Sequence, residues 1–63
     1  MLEQSLLRDE FQTLLDQQRN AARLYADLAA KSGDPRIRQQ AQELQRDKLR
    51  HIRLTERLLE IVD

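Results

Sequence analysis

Positions spaced alternately by four and three residues form two runs along the chain. The first passes Leu7, Phe11, Leu14, Gln18, Ala21, Tyr25 and Leu28. The second passes Ile37, Ala41, Leu44, Lys48, His51, Thr55, Leu58 and Val62. Repetition every seven residues marks helices that pack at a shallow angle. Leu15, Ala22 and Ala29 widen the first stripe, and Ile52, Leu54, Leu59 and Ile61 widen the second. Between the runs stands one interruption, Lys31-Ser32-Gly33-Asp34-Pro35. Gly33 suits the left-handed position just past a helix end, and Lys31 suits the negative end of the helix dipole. Asp34 suits an N-cap, and Pro35 the first helical position, where a missing N–H costs nothing. The pattern predicts helix 1 over about 3–32, a turn at 32–35 and helix 2 over about 35–62. A turn that short forces an antiparallel αα-hairpin, here a single domain over 1–63.

Composition removes the alternatives. One glycine and one proline in 63 residues cannot supply the regular turns of an all-β domain. With no cysteine there is no disulfide framework, zinc ribbon or thiolate nucleophile. No apolar run approaches the ~18 residues of a membrane span, and no signal-peptide pattern opens the chain. The expectation is a soluble, cytoplasmic protein with no membrane partner. Helices of this length cover only one side of each other. The apolar band is widest at the open end, where Leu2, Leu6, Leu7, Phe11, Leu14 and Leu15 face Ile52, Leu54, Leu58, Leu59, Ile61 and Val62, and it narrows to alanines near the turn. A lone hairpin would leave the wide end in water. The expected fold is therefore all-α, an antiparallel αα-hairpin that dimerises into a four-helix bundle, with a second copy as first partner and another protein as the next.

Five polar residues interrupt the stripes: Gln18, Tyr25, Lys48, His51 and Thr55. Gly33 lies midway between Gln18 and Lys48, so an antiparallel hairpin sets those two at one height. Desolvating such groups unpaired costs a few kcal/mol each, so they must bond to one another, to water or to a ligand. The plain reading is structural: Gln18 fixing register, Lys48 snorkelling, Tyr25 and His51 packed and hydrogen-bonded.

Their spacing also resembles the ferritin-like superfamily, in particular the rubrerythrin and encapsulated-ferritin-like hairpins. Those carry Glu, then Tyr seven residues later, and Glu-x-x-His on the second helix. Here Gln18, Tyr25 and Lys48-x-x-His51 stand at the corresponding spacings, within Ala21-Ala22-Arg23-Leu24-Tyr25-Ala26-Asp27-Leu28-Ala29 and Leu49-Arg50-His51-Ile52. The resemblance implies a half-bundle completed by dimerisation, with Gln18, Lys48 and His51 as relics of a di-iron site. Glutamine is a weak substitute for a bridging carboxylate, and an ammonium has no lone pair to give. The expected protein is non-catalytic, a structural or interaction module that holds no cofactor. The alternative is a metal-binding or ferroxidase-type protein that holds iron by recruiting other carboxylates.

Charge adds a third reading. Eleven basic and eleven acidic residues give a net charge of zero. Arg46, Arg50, Arg53 and Arg57 nevertheless fall on one ridge of helix 2. Such a ridge suits phosphate contact, as in the Rop-type RNA-binding hairpin dimer, which it resembles in size. No exposed aromatics interleave to stack bases, and Glu43, Asp47, Glu56 and Glu60 stand at pairing distance, so a solvated face is favoured over nucleic acid. On the polar face of the helices, Asp16/Arg19, Arg23/Asp27 and Asp27/Lys31 are spaced as i,i+3 and i,i+4 pairs.

Overall fold

A computed structural model describes residues 2–62. It contains two helices, α1 (Leu2–Lys31) and α2 (Pro35–Val62), and no strand among the described residues. The molecule is a rod with principal extents of 50 × 14 × 10 Å, one helix pair thick. Gln4 near the start of α1 donates from Nε2 to the carbonyl of Val62 at 2.7 Å, so the start of α1 meets the end of α2. These two residues lie equally far from Gly33, which fixes an antiparallel pair folded about that point. No helix among the described residues is long and apolar enough to cross a membrane.

The turn is built from side-chain caps. Ser32 N–H still bonds Leu28 O at 2.9 Å, the last helical bond of α1. Asp34 Oδ1 accepts from Arg36 N–H at 2.9 Å, and Asp34 O accepts from Arg38 N–H at 2.9 Å, so Asp34 is the N-cap of α2. Ser32 Oγ accepts from Asp34 N–H at 3.2 Å, and the Arg38 guanidinium donates to Ser32 O at 3.2 Å. Gly33 departs from the sequence expectation, because no glycine among the described residues has positive φ. The physical reason lies in its neighbours. The exposed carbonyl of Ser32 is satisfied by Arg38, and the residue before Pro35 is held extended by the ring. A left-handed C-cap has nothing left to do.

The best-buried residues of the seam flank the stripe on α1 and lie on the stripe itself on α2. Leu15, Ala22 and Ala29 on α1 and Ala41 and Thr55 on α2 are buried. Phe11, Gln18, Tyr25, Gln45, Lys48, Ile52 and Leu59 are half-buried beside them. Arg19 bonds Glu56 across the helices at 3.5 Å, and Asp16 instead accepts from Gln12 at 3.2 Å. The expected Asp16/Arg19 pair is thus replaced by an interhelical one.

Candidate functional site

Among the polar residues of the stripe, only two are joined directly. Thr55 Oγ1, in a residue 3% exposed, donates to Gln18 Oε1 at 3.0 Å. Both residues reach that bond because helical side chains lean toward their own N-terminus, which brings Gln18 to a threonine further from the turn than Lys48. Gln18 therefore meets Thr55 and not Lys48. Lys48 and Tyr25 are half-buried, and neither makes a hydrogen bond or ion pair among the described residues. His51 is exposed. The polar cluster expected from the stripe thus separates into one bonded pair in the seam and a histidine outside it.

This donor set does not fit a di-iron centre. The Gln18 amide oxygen is occupied by a hydroxyl, Lys48 brings a cation, and His51 is exposed outside that bonded pair. Among the described residues no three His, Cys, Asp or Glu side chains gather closely enough to hold a metal ion.

The chain matches no family model, no curated protein and no solved structure. Its function has to be read from its own surface.

Arg46, Arg50, Arg53 and Arg57 are all exposed, on the side of α2 that faces away from the seam. None of them makes an ion pair among the described residues. The larger feature is apolar and lies elsewhere. Leu14 and Leu28 remain 41% and 47% exposed, and Ile37 and Leu44 remain 43% and 42% exposed. Leu14, Ala21 and Leu28 directly precede the seam residues Leu15, Ala22 and Ala29. Leu44, His51 and Leu58 likewise precede Gln45, Ile52 and Leu59. One residue back is a rotation of about 100°. On antiparallel helices that face each other, this rotation leads to the same side of the pair, because reversing the axis and facing the seam from opposite directions cancel. The two columns, extended by Leu7 and Ile37, therefore form one open apolar face along the rod. Leu6, Leu24, Leu54 and Ile61 continue it outward, and among the described residues Leu49 alone of the large exposed apolar ones lies on the other side.

Sequence reasoning placed the large apolar residues correctly at helical spacing but assigned both sides of the stripe to one contact. The signal that separates them is size. Alanines occupy the seam near the turn, where helices approach closely, while the open face, past Ala21, keeps large residues there at Leu28 and Ile37. The apolar band therefore narrows toward the turn in the seam alone.

The accessible surface of the hairpin is 5178 Å² for 7.5 kDa. A compact monomer of that mass exposes about 4,200 Å². The excess, roughly 900 Å², is close to the ~800 Å² that each partner contributes to a standard stable interface.

Proposed function

We propose that the chain is a non-catalytic assembly module whose open face pairs with a second copy to complete a four-helix bundle. One observation carries this reading. The heptad stripe is shared between two surfaces: Phe11, Gln18, Tyr25, Ala41, Lys48 and Thr55 are buried or half-buried at the seam, while Leu7, Leu14, Leu28, Ile37 and Leu44 stay exposed on the open face. In a four-helix bundle each helix aims its stripe at the central axis, diagonally between two neighbours, so half of each stripe meets one neighbour and half the other. The hairpin supplies the first neighbour, and a second hairpin supplies the other. The surface excess supports the same reading, since it is close to one side of a standard dimer interface.

On this proposal the ferritin-like spacing of Gln18, Tyr25 and Lys48-x-x-His51 reflects a shared half-bundle plan from which the metal chemistry is gone. The polar residues keep structural duties, with the Gln18–Thr55 bond fixing the relative height of the helices. Sedimentation velocity across micromolar concentrations tests the reading. The expected species is a 15 kDa dimer, about twice the 7.5 kDa chain. A cooperatively folded monomer at these concentrations would overturn it.

A further inference from the structure

Self-pairing through the open face admits two arrangements. With the two-fold axis along the rod, both turns lie at one end and α1 lies on α2 of the second copy. With the axis across the rod, the turn of one copy lies beside the open end of the other, and α1 runs antiparallel to α1. Resting on the pairing proposed above, we infer the second arrangement from the charges that flank the face.

On α1, Glu3, Glu10, Gln17, Leu24 and Lys31 repeat every seven residues, beside the leucine column. All five are exposed. An antiparallel α1 pair centred on Gln17 sets Glu3 opposite Lys31 of the second copy, at both ends of the contact. Gln17 then meets Gln17 on the axis. A centre only half a residue further on pairs Leu7 with Leu28 and Leu14 with Ala21, which keeps the leucine column in contact with itself. Gln17 stands close to the middle of the rod, because Gln4 and Val62 close the open end about Gly33.

The other arrangement brings like charges together. It puts the Lys31 end beside the Arg36 and Arg38 end of α2, and Glu3 beside the helix turn that carries Glu60. Counted by height, residues 1–12 and 54–63 hold six acids against two bases, whereas residues 23–43 hold three acids against four bases. Stacking open end on open end concentrates the acids, and the crossed arrangement opposes them to the more basic turn. Glu3 and Lys31 also suit the dipole of their own helix, so their placement alone decides nothing. The difference lies in what each meets across the face.

The shape of α1 agrees. A shallow groove lined by Leu6, Asp9, Glu10, Thr13, Leu14 and Gln17 runs along its first half. The crossed arrangement places that groove against the second half of α1 of the other copy, where Leu24 stands 68% exposed and Leu28 47% exposed.

The absence of cysteine permits a direct test by disulfide trapping of mixed single-cysteine variants. Leu7→Cys mixed with Leu28→Cys should cross-link between copies, and Gln17→Cys should cross-link with itself. Efficient trapping of Leu7→Cys with Leu58→Cys, and not with Leu28→Cys, would overturn the inference while leaving the dimer intact. A wild-type chain that sediments as a monomer would instead overturn the pairing on which the inference rests. Gln17 is exposed and polar, so its variant keeps the test available where a leucine replacement weakens folding. Charge reversal gives a second readout at low salt. Lys31→Glu should weaken the dimer several-fold, and adding Glu3→Lys should restore it. Tighter association of Lys31→Glu alone would point to the arrangement with both turns together.

Discussion

Along the seam the best-covered residues are mostly small: Ala41 is 1% exposed, Ala22 7% and Ala29 9%, with Leu15 and Thr55 at 3%. On the open face the residues are large, and Leu24, Leu28, Ile37 and Leu44 keep between 42% and 68% of their surface in water. No large side chain anywhere among the described residues is fully buried. Burial of apolar area stabilises at about 25 cal/mol per Å², so alanines contribute little and the leucines hold most of what is available. The seam gives the helices close approach and a fixed height. The face that could supply most of the stabilisation is still open. On the proposed pairing two copies would share one core, which is how a chain of 63 residues without a disulfide gains enough buried surface to fold.

The strongest way to break that comparison is to place a charge on each surface in turn. Leu14→Glu on the open face should raise the dimer dissociation constant by ~100-fold or more, since the charge enters the interface from both copies. Sedimentation equilibrium measures it directly. Unchanged association would mean that Leu14 is as much in water in solution as it is in the lone hairpin. The equivalent change on the side of Leu49, Leu49→Glu, should leave association unaltered, because that residue lies away from the face.

The seam's own polar bond gives the next effect. Gln18→Leu leaves the buried Thr55 hydroxyl without its partner and should cost ~1–3 kcal/mol in chemical denaturation. Replacing both residues, Gln18→Leu with Thr55→Val, should recover most of that loss, because no unpaired group remains. If the double variant is as unstable as the single one, the bond does more than satisfy two polar atoms.

Two helices, their ends and their antiparallel course were legible because the turn carries unambiguous chemistry. Asp34 and Pro35 start a helix for local reasons, and the Asp34 cap forms as expected. The stripe itself was also legible, but its division was not. A heptad pattern gives the direction of the apolar face to within a residue, about 100°, which is the angle separating the seam from the open face. Leu15 and Leu14 are therefore indistinguishable by periodicity, although one is buried and the other 41% exposed. The polar layer misled for a related reason. Equal distance from Gly33 placed Gln18 level with Lys48, yet side chains lean along the helix, and the bond formed with Thr55 instead.

His51 separates the two regions at a smaller scale. It occupies the column of Ile37, Leu44 and Leu58 on the open face and is the one polar member of that column. His51→Leu completes an apolar column and should tighten the dimer about tenfold, the effect of burying a few additional carbon atoms per copy. A titration by fluorescence anisotropy of labelled chain reports it. Weaker association would show that the imidazole makes a bond across the interface that leucine cannot replace.

The smallest effect concerns the turn, which belongs to neither surface and should be indifferent to pairing. Glycine at a helix end usually marks a left-handed residue, and replacing it there with alanine destabilises. Gly33 has no positive φ, and a Cβ built on it meets nothing within 4 Å. Alanine can therefore adopt the native conformation without strain or contact. Its effect acts on the unfolded chain, whose backbone has fewer conformations to lose, and Gly33→Ala should stabilise by about 0.4–1 kcal/mol. Since the turn carries none of the open face, this gain should leave cross-linking and charge-reversal behaviour unchanged. Thermal denaturation at fixed chain concentration distinguishes the outcomes, because dimer melting depends on concentration and the two chains must be matched. A lower melting temperature for Gly33→Ala would return the glycine to a left-handed cap and shift the closure of α1 from Arg38 and Ser32 to Gly33 itself.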